Sequence, residues 1–255
     1  MISYIKISER VIERLKESVM KEIRAVYSTN IPDLSKIHEI LEKDKINELR
    51  MKIFDEINTG DHEFIKLISK DIFDDLVSIL GPDISVQKKL NFSIHMPGDS
   101  SSVLDIHSDT WSGESPFQLN LWFPLTSAEE TNSMFLLDKV FSIKQTEKIF
   151  SGDQNVSVSK LRSEVKDKYF LKCDPGKGVL FNTCIFHGNV LNSSNKTRIS
   201  FNIRYKGTFH PESSDTGLGV RSVGKFFIPL ILSENSQLAL KYLNINYKKP
   251  LLEIN

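Results

Sequence analysis

The sequence predicts a mainly β chain with N-terminal helices and a double-sheet jelly-roll core. Three features carry that expectation. Apolar residues recur at helical spacing through the first third, the period switches to two from about Lys89, and eight short strand candidates follow with turn signals between them. At 255 residues, 40% apolar with 16 Phe, the chain can bury a full core. The expected organisation is a single domain over 1–255: a helical region at 1–87, the jelly roll at 88–210, and a loop with a terminal helix at 211–255.

Taken in order, Val11, Leu15, Val19, Ile23 and Val26 form one helical stripe, and Ile46, Leu49, Ile53 and Ile57 a second that Asn58-Thr59-Gly60 stops. Asp61 is placed to cap a third helix carrying Phe64, Leu67, Ile68, Ile72, Leu76 and Ile79, which Gly81-Pro82 ends. Leu90–Met96 alternates apolar with polar residues and closes at Pro97-Gly98-Asp99. The other strand candidates are Val103–Asp109, Phe117–Leu125, Ser133–Leu137, Tyr169–Cys173, Val179–Thr183, Phe186–Leu191 and Arg198–Tyr205. Lys139–Lys168 reads as a charged, partly helical insertion. Lys206–Gly224 reads as a Gly- and Ser-rich loop, and Ser233 caps a last helix through Leu238, Tyr242 and Leu243. The amphipathic terminal helices could support a homodimer.

Lys+Arg 33 against Asp+Glu 33 leaves no net charge, which argues against nucleic acid as the partner, since that affinity comes largely from neutralised phosphates. The N-terminus has no run suited to a signal peptide, and the most apolar stretch, Phe226–Leu232, is short and carries Pro229, so no membrane span is expected. Cys173 and Cys184 show no zinc or redox spacing and read as small buried hydrophobes in a cytoplasmic protein.

Chemistry is suggested by His107-Ser108-Asp109. On a strand, residues i and i+2 project from one face, so imidazole and carboxylate could close on one ion. By itself the tripeptide is weak, because chance supplies about 0.4 of them in a chain of this composition. His187, between Phe186 and Gly188, adds a second imidazole from the β-rich half, although a lone histidine in that setting is more often structural. Two imidazoles and one carboxylate occupy one face of an octahedron and leave three positions open, which suits non-haem Fe(II); zinc, favouring four tetrahedral ligands, fits less naturally. Arg198-Ile199-Ser200 follows on the next strand. A guanidinium grips a carboxylate with two parallel bonds and a serine hydroxyl adds a third, the grip that a keto acid on the metal would need for its far end.

The order His-x-Asp, distal His, Arg-x-Ser resembles the phytanoyl-CoA dioxygenase-like superfamily of 2-oxoglutarate oxygenases. The surrounding text is closest to the sporadic carbohydrate cluster branch of that superfamily. The matching segments run from His107 to Phe117, from Leu121 to Leu125, at Ser133-Met134, at His187-Gly188-Asn189 and from Arg198 to Gly207, within roughly residues 88–210. The resemblance implies a cupin-like double-stranded β-helix and Fe(II), 2-oxoglutarate and O2 as cofactors. It implies oxidative decarboxylation of the keto acid coupled to hydrogen abstraction from a small-molecule substrate: a sugar, sugar nucleotide or surface-glycan precursor. Related halogenases leave the carboxylate position to a small residue. With Asp109 there, hydroxylation, desaturation or epimerisation is expected instead.

Around these groups, Gln118, Asn120 and Trp122 share a strand face opposite Phe117, Leu119, Leu121 and Phe123. Asn120 and Asn91 are candidates for the keto acid, and Trp111, Trp122 and Arg204 for substrate. The loops Lys139–Lys168 and Lys206–Gly224 are the expected seats of specificity. His95 shares the Asn91 face and could approach the pocket. Two other readings are weighed against the oxygenase. A cupin-like metal isomerase or hydrolase would not need Arg198 and Ser200, and a non-catalytic carbohydrate-binding jelly roll would not need the metal triad.

Overall fold

Two strands with strict alternation organise the molecule, and the residues on their two faces are unlike. The computed structural model describes residues 2–28, 33–41, 45–153, 155–165, 168–211 and 226–253. Within them run β1 (Ile2–Lys6), α1 (Glu9–Tyr27), α2 (Ile46–Asn58), α3 (Glu63–Asp71), α4 (Phe73–Leu80), β2 (Ile84–Gln87), β3 (Asn91–His95) and β4 (Gln118–Pro124). Then come β5 (Phe135–Leu136), α5 (Lys139–Phe150), α6 (Val158–Glu164), β6 (Tyr169–Phe170), β7 (Lys177–Asn182), β8 (His187–Gly188), β9 (Arg198–Gly207), β10 (Phe227–Ile231) and α7 (Glu234–Tyr242). A seven-stranded antiparallel sheet has the order β1-β7-β4-β9-β2-β10, with β3 also on β9; a three-stranded sheet has the order β6-β5-β8.

The long strand β9 lies at the centre. One of its edges pairs with β4 from Ser200 to Lys206, and the other is shared by β3 and β2. Leu119, Leu121 and Phe123 of β4 and Ile199, Phe201, Ile203 and Tyr205 of β9 point to the helical side, into one core with Leu15, Ile53 and Ile68. Each such side chain, fully buried, contributes about 1.5–3 kcal/mol. Tyr205 keeps its hydroxyl satisfied there on Ser69 of α3, at 3.0 Å. The alternate residues, Asn120, Trp122, Arg198, Ser200, Asn202 and Arg204, line a cavity on the other face. His187 and Gly188 of the small sheet close that cavity from across the gap.

Several expectations are corrected. Val103–Asp109 is not a strand: after a 3-10 turn at Ser100–Ser102 only His107 makes a ladder contact, an isolated bridge to His187, and a turn begins at Asp109. The segments at 133–137, 169–173 and 186–191 shorten to two-residue strands, because turns and single bridges satisfy the rest of their backbone. The third helix is two helices broken at Ile72, and its first cap is His62 in the left-handed region, not Asp61. Three strands were not expected: β1, β2 and β10. The last contains Pro229, which an edge strand tolerates, beside a register shift. Ser233 does cap α7, accepting from the Ser236 amide, but Leu238 and Tyr242 of that helix are exposed. Residues 212–224 of the expected loop lie outside the described residues. Among the described residues, no helix is long and apolar enough to cross a membrane.

Candidate metal centre

A backbone bridge joins the two histidines. His107 N–H donates to His187 O at 3.0 Å, and His187 N–H donates to His107 O at 2.8 Å, leaving the ring centroids 4.3 Å apart. Each Nδ1 lies on the carbonyl two residues back, His107 on Asp105 O at 2.7 Å and His187 on Ile185 O at 2.9 Å. A carbonyl only accepts, so Nδ1 carries the proton and the Nε2 lone pair is left for a ligand role. Gly188 permits this approach: a Cβ there would stand 2.8 Å from Leu104 O and 3.0 Å from Asp105 O. Arg162 of α6 ion-pairs with Asp105, fastening the same loop from outside.

Asp109 completes the set, and the candidate ligand atoms of His107, Asp109 and His187 all lie within 4.8 Å of one another. Its Oδ2 accepts from Asn120 Nδ2 at 3.0 Å, and its Oδ1 from Arg204 Nη2 at 2.6 Å. Burial pushes the Asp109 carboxyl up, but the Arg204 guanidinium first, then the histidines, outweigh it and leave the pKa at about 2. Burial holds His187 down to about 4, partly opposed by Asp109. Near neutral pH His187 is therefore a neutral imidazole and Asp109 an ionised carboxylate, the protonation states a metal requires. Two nitrogens and one oxygen facing a cavity, with Asp109 and His187 buried and His107 half-buried, fit an ion with open coordination positions.

At the other end of the cavity lies Arg198, 3% exposed. No carboxylate faces it among the described residues, its Nε has no hydrogen-bond partner, and its guanidinium lies 5.8 Å from the Trp122 ring centroid. Burial lowers its pKa to about 10. Ser200 lines the cavity two residues on, and Ser93 of β3, its direct partner across the ladder, lines it too. The cavity measures about 140 Å³, room for roughly five waters or a small dicarboxylate.

No protein-family profile matches the sequence, and no curated protein matches it either. Solved structures do match. EvdMO1 superposes with a TM-score of 0.54 at 14% identity, over 79% of this chain and 45% of that one. HygX from Streptomyces hygroscopicus, with nickel and 2-oxoglutarate bound, has a TM-score of 0.48 at 11% identity, over 82% of this chain and 83% of that one. The nickel complex of the non-heme monooxygenase ThoJ gives 0.45 at 19%, over 94% and 88%. The fold is shared with EvdMO1. At these identities the likeness extends no further than the fold.

The structure thus brings His107, Asp109, His187, Arg198, Ser200, Asn120, Trp122 and Arg204 to one cavity. Two expected contributors stand elsewhere. Trp111 packs on Phe186 at 5.9 Å between centroids, because the turn after Asp109 carries it away from the opening. Asn91 pairs with Asn202 but does not line the cavity; Ser93, one pleat further along the same face, does. Arg204 and Asn120 line the cavity and both donate to Asp109. His95 is buried behind the wall, with Nδ1 accepting from Asn189, which itself lines the cavity. Among the described residues of Lys139–Lys168 none lines it: α5 and α6 buttress the site, with Ser142 Oγ accepting from the Phe186 amide at 3.1 Å. Ser93 and Asn202 could have been read from the alternation that selected Asn91 and Arg198.

Proposed function

We propose that this chain is an Fe(II)- and 2-oxoglutarate-dependent oxygenase built on a double-stranded β-helix. One observation carries the reading: a buried guanidinium with no counter-ion among the described residues, Arg198, shares a small cavity with a two-histidine, one-carboxylate cluster. A buried charge without a partner is unfavourable, and a carboxylate in the cavity would relieve it. His107, Asp109 and His187 would hold the iron. Arg198, with Ser200 and Ser93, would hold the far carboxylate of the keto acid, and Trp122 would wall the space between. When bound, Fe(II) with the keto acid and O2 supplies oxidative decarboxylation and the power to take hydrogen from a C–H bond. The protein's own part is to orient both partners and keep bulk water out. The substrate class is a small molecule, with a sugar, sugar nucleotide or surface-glycan precursor favoured by the sequence resemblance, and the compartment is the cytoplasm. A metal isomerase or hydrolase of the same fold, or a carbohydrate-binding jelly roll, has no use for Arg198 in this position.

The test is CO2 release from carboxyl-labelled 2-oxoglutarate in air with Fe(II), which proceeds slowly without substrate. The wild type is expected to release label, and Arg198→Ala to need about 100-fold more keto acid, reflecting lost charge-assisted bonds. Release that is independent of iron, or equal in the variant, would overturn the proposal.

A further inference from the structure

We infer that Arg204 and Asn120 are positioning residues for the metal, aiming the Asp109 carboxylate from the rigid sheet. The inference rests on the metal-site reading above. Asp109 begins a turn, so no strand pleat aims its side chain. Its direction comes from two residues directly opposite one another on β4 and β9, Asn120 and Arg204. One takes each carboxylate oxygen, at 3.0 Å and 2.6 Å. Each oxygen keeps a second lone pair, so the carboxylate is held without being used up. Groups that orient metal ligands in this way typically alter affinity about 10–100-fold when removed.

The rest of the Arg204 guanidinium also lies against protein oxygens. Nε faces Glu114 Oε1 at 3.8 Å, Nη1 reaches Gln87 Oε1 at 3.4 Å, and the side chain is 12% exposed. Nη2 and Nη1 thus donate to protein oxygens and Nε faces a third at ion-pair distance, which fixes the guanidinium plane beside Asp109. A guanidinium also repels a nearby dication, which would favour metal binding once it is removed. Here Glu114 sits beside it, 3% exposed at its side chain, so the two charges largely cancel at the ion. Orientation is what remains.

Mn(II) alone is the probe, with free ion followed by electron paramagnetic resonance and folding by circular dichroism. The double variant Arg204→Gln/Glu114→Gln removes one cation and one anion, separating orientation from charge. Its Mn(II) affinity is expected to fall at least about tenfold. Arg204→Lys, which restores one charged donor, is expected to recover to within about threefold of wild type, and Asn120→Ala to lose about three- to tenfold. If wild type shows no Mn(II) binding that His187→Ala abolishes, the metal-site reading itself fails. If wild type binds but the folded double variant binds equally well, only the positioning role is overturned. Should the double variant not fold, Asn120→Ala decides, with unchanged affinity overturning the inference.

Discussion

Arg198→Met separates a structural arginine from one held ready for an anion. The side chain is almost fully enclosed, has no acidic partner among the described residues, and burial takes its pKa from 12.5 to about 10. A shift of that size, at 1.36 kcal/mol per unit, means the fold disfavours this cation by about 3 kcal/mol without a ligand. Methionine fills similar volume without charge, but gives up the contact with the Trp122 ring, about 1 kcal/mol. The balance predicts that the Mn(II)-loaded variant, without co-substrate, is more stable than wild type by about 2 kcal/mol. In a chain of this size that is roughly 4–8 °C in Tm. Scanning calorimetry with and without 2-oxoglutarate reads both halves. Wild type should gain about 2.7 kcal/mol at a hundredfold excess over its Kd, whereas the variant at the same concentration should gain no more than about 0.4 kcal/mol. A variant less stable than wild type would show that Arg198 supports the fold, and the reasoning from an uncompensated charge would be wrong.

Two further perturbations probe the walls of the site. Gly188→Ala places a methyl against the Leu104 and Asp105 carbonyls, backbone atoms that cannot give way cheaply. It should destabilise the protein by about 1–3 kcal/mol and weaken metal binding, since the displaced segments carry both histidines; an unchanged urea midpoint would contradict this. His95 is neutral in the fold because burial, aided by Arg198, lowers its pKa from 6.5 to about 4. The unfolded chain takes up that proton below pH 6.5 while the folded chain does not, so stability falls as pH drops from 6.5 toward 4. Between pH 7 and 4.5 wild type should therefore lose about 2 kcal/mol more than His95→Gln, measured by denaturant titration at each pH. Parallel losses in the two proteins would place the acid sensitivity elsewhere.

How far the site was legible in the sequence depended on whether a residue's direction is set locally. Along Gln118–Pro124 and Arg198–Gly207 the pleat decides everything: alternate residues face helices or cavity, and a period of two is visible in the string. Alternation assigns a face but not a depth: Asn91 and Ser93 share one face of β3, and of the two it is Ser93 that lines the cavity. His107 and Asp109 were paired by strand geometry, yet they converge through an isolated bridge and a turn, arrangements that leave no periodic trace. The engagement of Arg204 by Asp109 depends on two distant segments meeting, so the arginine alone read as a substrate contact. Trp111 lies two residues past a candidate ligand in sequence, but a tight turn that includes Gly113 at φ 99° directs it to Phe186. The edge strands went unseen for their own reasons: β1 is half exposed, and Pro229 in β10 argues against a strand unless its edge position is known.

The most direct measurement is the visible spectrum of the protein mixed anaerobically with Fe(II) and 2-oxoglutarate. A keto acid chelated to iron in this cavity gives a metal-to-ligand charge-transfer band, which should vanish in His187→Ala and Asp109→Ala and need far more keto acid in Arg198→Ala. No band in the wild type, or one that survives loss of either ligand, would contradict the convergence of these side chains on one metal.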